Sequence, residues 1–152
     1  KRLSLSLIVI IVAEMIFIIQ LKTECSRLLI IGFLSIIDRD LSGGRLYQKK
    51  THEAIGTIEL FHRDAADYFT DCGLLRLDIR SDYEMSDKII KILSLIIAPA
   101  YRLFHCSKIA TKAIPAATER IQALKNLGFE RSAEKLIGHD GTEYDSYFVL
   151  NP

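Results

Sequence analysis

Apolar and polar residues alternate along several stretches of the chain, and this two-residue period is typical of half-buried β-strands. The clearest case is 73–79, in which leucines alternate with Arg76 and Asp78. Residues 2–10 open with the same alternation, and 54–62 is rich in β-branched and aromatic residues. Together these patterns predict strands at 2–10, 45–50, 54–62, 73–79 and 106–114, with turns at 38–44 and 51–53.

A longer apolar segment at 87–103 predicts a helix that packs against a sheet, because apolar residues cover most of its circumference. Ser86 or Asp87 would cap its first turn. Pro99 leaves two alternatives open: the helix ends near Ile97, or it bends and continues.

A second helix is predicted at 115–127, with Pro115 in its first turn and Gly128 as its C-terminal cap. Its polar face carries Glu119 and Arg120. Two closing strands are predicted around 129–137 and 142–150, joined by a turn at Asp140-Gly141.

The first twenty residues allow two interpretations. An apolar run at 3–19 follows Lys1 and Arg2, as in an export signal or a membrane anchor. Glu14 lies inside this run, where a carboxylate in lipid would cost about 2.5 kcal/mol or more. We therefore predict a strand followed by a helix at 12–22 and no membrane segment, with an N-terminal anchor as the minor alternative.

Composition narrows the class of protein. A chain of 152 residues suits a single domain, 1–152. With 20 basic and 19 acidic side chains, no nucleic-acid partner is predicted. The three cysteines lack metal-ligand spacing, which predicts no metal site and free thiols in a cytoplasmic protein.

The order of strands and helices predicts an α/β (α+β) fold with a mixed sheet. Within it, the helix and turn Ile121-Gln-Ala-Leu-Lys-Asn-Leu-Gly-Phe129 and the closing stretch His139–Leu150 resemble the end of GNAT N-acetyltransferases. Ile55-Gly-Thr-Ile58 and the opening after Arg2 are similar to the branch that acetylates ribosomal protein N-termini. The resemblance implies a mostly antiparallel central sheet flanked by helices.

The resemblance also implies acetyl-CoA as cosubstrate, bound at the turn after the fourth strand. Backbone N–H groups and a helix N-terminus would hold its diphosphate there. The cofactor-binding residues carried over are Ile79, Arg80, Ser81, Tyr83, Met85, Ser86, Asp87 and Lys88. This turn contains no glycine, and Asp82, Glu84 and Asp87 would repel phosphate.

Acetyl transfer to an amine needs a base for the ammonium and a proton source for the leaving thiolate. Glu59 and Asp78 are the predicted bases, with His62 as another candidate, and Tyr144 or Tyr147 is the predicted acid. Glu59, Asp78 and Tyr144 form the predicted catalytic set.

Two classes of function follow. The first is an enzyme that acetylates a primary amine of a small molecule, a peptide or a protein N-terminus, and that forms a homodimer. The second is a catalytically degenerate GNAT-like binding module that does not use CoA, which the acidic, glycine-free turn favours.

Overall fold

The computed structural model describes residues 28–31, 41–48 and 51–152. The strand predicted at 2–10, the helix predicted at 12–22 and the alternative anchor at 3–19 all lie outside these residues. Among the residues that are described, no helix is both long enough and apolar enough to cross a membrane.

The described residues form nine strands, two helices and one short 3-10 helix at Ser81–Tyr83. The strands are β1 (Leu28–Ile31), β2 (Leu41–Gln48), β3 (Ala54–Arg63), β4 (Cys72–Ile79), β5 (Lys108–Lys112), β6 (Glu130–Arg131), β7 (Leu136–Ile137), β8 (Glu143–Tyr144) and β9 (Tyr147–Leu150). The helices are α1 (Ser86–Phe104) and α2 (Thr118–Asn126).

Seven of these strands make one sheet, in the order β1-β2-β3-β4-β5-β9-β6. Its described neighbours pair antiparallel except β4 and β5, which are parallel and are connected through α1. Strands β7 and β8 form a separate hairpin. The predicted class, a mixed and mostly antiparallel sheet flanked by helices, is therefore confirmed.

The sheet buries apolar side chains on both faces, because alternate residues of a strand point to opposite sides. The helix-side cluster joins α1 and α2 to the sheet and includes Ile58, Leu75, Leu77, Ile89, Ile109, Leu124 and Phe148. The cluster on the opposite face includes Phe69, Cys72, Leu74, Ala110, Leu136 and Val149. The alternating side chains of β4 therefore contribute to both clusters.

The prediction of a turn over 38–44 is wrong for residues 41–44, which belong to β2. Gly43 pairs with Glu59 and Gly44 with Ile58 of β3. Glycine adopts an extended backbone as readily as a turn, so hydrogen bonding to β3 decides the conformation. The turn predicted at 51–53 is present, with His52 at a φ of 57°.

Helix α1 continues through Pro99 to Phe104, so the alternative in which it ends near Ile97 is wrong. The predicted caps are wrong: Met85 is the N-cap residue, and no side chain of its own caps the helix. A carboxylate from α2 takes that place, as described below.

Helix α2 begins at Thr118 rather than at 115, because Pro115 and Ala116 form a turn instead. Its C-terminal cap is as predicted. Gly128 has a φ of +88°. The Gly128 N–H donates to the Lys125 carbonyl, and the Phe129 N–H donates to the Leu124 carbonyl. These two bonds define a Schellman motif.

The two long closing strands predicted at 129–137 and 142–150 are instead four short ones, β6 to β9. The predicted Asp140-Gly141 turn is present and closes the β7–β8 hairpin, with Gly141 at a φ of +81°. Ser146, at a φ of 65°, separates β8 from β9, and its carbonyl accepts the Ala113 N–H. That kink redirects the chain into the main sheet.

Candidate active site

The candidate active site is a cleft that opens where two parallel strands diverge. Strands β4 and β5 pair from Cys72 and Lys108 as far as Leu75 and Thr111, whereas β4 continues to Ile79 beside β3. The space beyond the last pair belongs to a cleft of about 1470 Å³. Ligands of open α/β sheets bind outside the carboxyl ends of such strands, so we expect a ligand in this gap.

The two ends of the cleft are built from different elements. What we call the helix end lies at the first turns of α1 and α2. What we call the hairpin end lies beside β7 and β8. The wall of the helix end includes Ser81, Glu84, Glu119 and Arg120, and the wall of the hairpin end includes Arg63, Asp67, Ile114, Ile137 and Tyr144.

At the helix end, α2 is bonded directly to the start of α1. The Ser86 N–H donates to the Glu119 carboxylate at 2.8 Å. Arg120 donates to Glu84 at 2.7 Å and to the Leu77 carbonyl at 2.8 Å. We call these three bonds the latch. A carboxylate at a helix N-terminus occupies the place that suits a ligand anion, so α2 supplies an anion of its own there.

The eight residues predicted to bind the cofactor are all described, and Ser81 alone among them lines the cleft. Ile79 packs against the helix-side core instead. Met85 is 46% exposed. The exposed Asp87 carboxylate lies 3.7 Å from Lys91. The Ser86 N–H is already bonded within the latch.

Two cations lie around one ring beside the latch. The Arg80 guanidinium is 4.9 Å and the Lys88 ammonium 4.4 Å from the centre of the Tyr83 ring. Arg80 also bonds to Asp82 at 2.6 Å, which raises the pKa of Arg80 and lowers that of the carboxyl. These cations partly offset the acidic side chains of the turn.

At the hairpin end, Arg63 and Asp67 form a largely buried pair with side chains 13% and 9% exposed. We call it the hairpin pair. Two parallel hydrogen bonds, 2.5 and 2.7 Å long, join the guanidinium to the carboxylate. The hydrogen bond from Arg63 is the main cause that lowers the pKa of Asp67 to about 2, against the opposing effect of burial.

The hairpin pair also ties three segments together through the backbone. Arg63 donates to the carbonyls of Phe69 and Ile137, and Asp67 accepts from the N–H groups of the same two residues. The loop after β3 and the β7–β8 hairpin are thereby fixed to β3. Both polar side chains are satisfied, so this end of the wall is rigid.

The two predicted bases are placed differently. Asp78 lines the cleft, and its carboxylate lies 2.8 Å from the Arg76 guanidinium. Glu59 is not among the described residues that line the cleft. Its carboxylate lies 3.7 Å from the same Arg76 guanidinium. The structure therefore brings Asp78 into the candidate site and leaves Glu59 beside it.

Both candidate acids line the cleft. Tyr144 is 38% exposed, and the Lys112 ammonium lies 5.3 Å from the centre of its ring. Tyr147 is half-buried, and burial raises its pKa. Tyr144 is the more exposed of the two, so it is the better placed candidate to reach a substrate.

His62 also lines the cleft, but its Nε2 atom lies 3.0 Å from an Asp71 carboxylate oxygen. This hydrogen bond lowers the pKa of Asp71. The described thiols, Cys72 and Cys106, are buried and free. Burial raises the pKa of Cys72 to about 12 and also raises that of Cys106, so neither is an activated nucleophile.

Sequence reasoning missed the latch and the hairpin pair. Glu84 and Arg120 are 36 positions apart, so no local spacing signals their contact. Arg63 and Asp67 do have a visible i, i+4 spacing, although it usually signals a helix. Here the pair instead joins Arg63, at the end of β3, to Asp67 in the loop that follows.

No protein-family model and no curated protein sequence matches this chain. Among solved structures, a protein from Vibrio cholerae described as a ribosomal-protein-serine acetyltransferase matches with a TM-score of 0.55 and 13% identity, over 74% of this chain and 65% of that one. A dodecameric spermidine N-acetyltransferase from Vibrio cholerae matches with a TM-score of 0.54 and 11% identity, over 76% and 67%.

An aminoglycoside acetyltransferase, AAC(6')-Ib, solved with coenzyme A and kanamycin, matches with a TM-score of 0.53 and 16% identity, over 76% and 69%. The chain thus spans about two thirds of the length of these structures, and slightly less of the first. At this identity the likeness concerns the fold: the chain has the fold of GNAT N-acetyltransferases.

Proposed function

We propose that the protein is an acetyl-CoA-dependent N-acetyltransferase that acts on a primary amine of a small molecule, a peptide or a protein N-terminus. The observation that carries this proposal is the cleft at the divergence of β4 and β5, in a fold shared with acetyltransferases. In this proposal the thioester lies between the two ends of the cleft, with the nucleotide at the helix end and the amine at the hairpin end.

The reaction forms a bond between the amine nitrogen and the acetyl carbon and breaks the bond from that carbon to sulfur. The amine must first lose a proton, and the departing thiolate must gain one. Asp78 is our candidate base and Tyr144 our candidate acid, because both line the cleft. The role of Glu59 as a base stays a prediction. Its carboxylate contacts Arg76, which lines the cleft, at 3.7 Å.

The backbone of β4 offers a donor for the developing oxyanion. Arg120 reaches the Leu77 carbonyl at 2.8 Å, so Leu77 turns its polar backbone groups towards the cleft rather than towards β3. In a strand the N–H of a residue points to the same side as its carbonyl. The Leu77 N–H would therefore stabilise negative charge on the thioester oxygen.

The diphosphate of acetyl-CoA would bind at the helix end, with Arg80 and Lys88 as cations beside it. Its binding at the start of α1 requires the Glu119 carboxylate to leave the Ser86 N–H. The roles of Ile79, Ser81, Tyr83, Met85 and Asp87 in this binding stay predictions. So do the single domain over 1–152, the cytoplasmic location and the homodimer.

Two measurements test the proposal. Acetyl-CoA at a concentration well above its Kd should raise the melting temperature, because it binds the native state only. Free thiol should then be released from acetyl-CoA only when a primary amine is added. Asp78→Asn should lower kcat by about 10²-fold or more, whereas the exposed Glu134→Gln should not. Absence of both the melting shift and the thiol release would contradict the proposal.

The second candidate function is a GNAT-like binding module that does not use CoA. The latch favours it, since an internal carboxylate already satisfies the amide at the start of α1. In that case acetyl-CoA leaves the melting temperature unchanged both in the wild type and in Glu119→Gln. A melting shift in the variant alone would instead indicate an enzyme held closed by the latch.

A further inference from the structure

The hairpin end of the cleft exposes apolar side chains. Ile114 is 56% exposed, Ile137 45% and Tyr144 38%, and all three line the cleft. Elsewhere in the described residues, Tyr68 and Met85 are the other large apolar side chains with such exposure, and neither lines the cleft. Exposed apolar surface concentrated in a concave site marks contact with a ligand.

These three side chains belong to one region of the wall. Leu136 pairs with Tyr144 and Ile137 with Glu143 across the β7–β8 hairpin, so Ile137 lies diagonally across from Tyr144 on the neighbouring strand. The Lys112 ammonium lies over the Tyr144 ring, and Ile114 follows two residues later, just beyond the end of β5. An acceptor that enters at the hairpin end therefore meets apolar surface from the segment after β5 and from the hairpin.

The carboxylates of the same cleft are mostly neutralised within the protein. Asp67 is paired with Arg63, Asp78 with Arg76 and Glu84 with Arg120, at distances of 2.5 to 2.8 Å. Among the described cleft carboxylates, two have no cation partner: Asp64 accepts from the Thr70 hydroxyl, and Glu119, at the helix end, accepts from the Ser86 N–H.

A carboxylate that already binds a guanidinium attracts a further cation weakly, since the two charges cancel at a distance. A polycation needs several uncompensated carboxylates along its length, whereas the described wall offers Asp64, and Glu119 lies at the helix end and is bonded to the Ser86 N–H. One ammonium group and a large apolar body match what the wall does offer.

We propose, on the basis of the proposed function, that the acceptor is a primary amine with a single positive charge and an apolar or aromatic body, and not a polyamine. Ile114 and Ile137 are then specificity-determining residues. Tyr144 contributes its ring to the same surface, apart from its candidate role as proton donor.

The test compares 2-phenylethylamine, ethanolamine and spermidine as acceptors with saturating acetyl-CoA. We expect kcat/KM to be at least tenfold higher for 2-phenylethylamine than for spermidine, about the discrimination that one or two apolar contacts provide. Ile137→Ser and Ile114→Ser should each lower kcat/KM for 2-phenylethylamine about tenfold and leave that for ethanolamine within about twofold.

Tyr68→Ser is the matched control, because Tyr68 is an exposed tyrosine under a lysine, Lys108, outside the cleft wall. It should leave the ratio of the two kcat/KM values unchanged. A preference for spermidine, or equal effects of Ile137→Ser and Tyr68→Ser on the ratio, would overturn the inference.

A binding measurement separates this inference from the proposed function. Ligand-observed NMR with 2-phenylethylamine and with spermidine needs no turnover. If no amine is acetylated, binding of 2-phenylethylamine that Ile137→Ser weakens still supports an apolar amine site, while the acetyltransferase proposal fails. If amines are acetylated with no preference for 2-phenylethylamine, the acetyltransferase proposal stands and the inference of an apolar amine site fails.

Discussion

The two ends of the cleft are each held by an arginine and a carboxylate, but the two pairs have different surroundings. The hairpin pair is 13% and 9% exposed, and four backbone contacts from Phe69 and Ile137 surround it. In the latch, Arg120 and Glu84 are 16% and 25% exposed, and one backbone carbonyl, that of Leu77, completes the contact. The first pair joins three segments of the fold, whereas the second lies beside the start of α1, where we propose that the diphosphate binds.

This difference suggests how a cleft can combine rigidity with access. A pair that binds backbone groups of two segments and is anchored in a third, β3, cannot be displaced without loosening all three. A pair between Arg120 of α2 and Glu84 in the turn before α1 can be exchanged for a ligand group of the same charge. The following variants test that distinction, in order of expected effect.

Asp67→Asn should lower the free energy of unfolding by about 3 kcal/mol, because it leaves the largely buried Arg63 guanidinium without a countercharge. Urea denaturation measures the change. Glu143→Gln is the control: it removes an equally short contact, 2.6 Å to Lys135, between exposed side chains, and about 0.5 kcal/mol or less is expected. Similar values for both variants would mean that burial is not what distinguishes the hairpin pair.

Acid should weaken the hairpin pair within a defined pH window. The pKa of Asp67 is lowered from 3.8 to about 2 on folding, so its stabilisation is complete above about pH 4 and is lost as the pH falls through 2. This lowering of the Asp67 pKa corresponds to about 2 kcal/mol of stabilisation of the folded state. The stability difference between wild type and Asp67→Asn should therefore shrink between pH 5 and pH 2. A constant difference would contradict the assignment.

Arg120→Met should cost about 1 to 2 kcal/mol, less than Asp67→Asn, because the latch is more exposed and the Leu77 carbonyl can turn to water. Arg131→Met, at an exposed position of β6, is the control and should change stability little. If Arg120→Met proves more costly than Asp67→Asn, the latch is part of the scaffold and not a replaceable contact.

Glu119→Gln should have the smallest effect on stability, under about 1 kcal/mol, since a charge at a helix N-terminus contributes roughly 0.3–1 kcal/mol. The variant should bind acetyl-CoA about two- to fivefold more tightly in calorimetry, because it removes a competing negative charge. Glu134→Gln controls for net charge. Weaker binding in Glu119→Gln would mean that Glu119 positions the ligand rather than competes with it.

The sequence predicts those parts of the fold that local chemistry determines. The alternation in 73–79 identifies β4, and Gly128 and Asp140-Gly141 identify a helix end and a turn, because each depends on residues close in the chain. Residues 41–44 and the start of α2 are mispredicted. There, pairing with β3 or packing against α1 outweighs turn and helix propensities.

The candidate site is harder to predict from the sequence, because its contacts join residues that are far apart in the chain. Asp78 and Tyr144 are found through residue type and the resemblance, and both lie in the cleft. The cap of α1 is not found, because the carboxylate that provides it comes from Glu119, 33 positions further along the chain. Contacts over such separations depend on the arrangement of α1 and α2, which no local pattern encodes.

The position of β9 between β5 and β6 has a consequence for how the domain assembles. Tyr147–Leu150 bonds to β5 on one side and to β6 on the other, and β6 touches the sheet through β9 alone among the described strands. Hydrogen exchange should therefore be slow in β9 although it is only four residues long. Among the described strands, β6 has no docking surface until β9 has paired with β5, so β9 must join the sheet before β6, although β6 comes earlier in the chain.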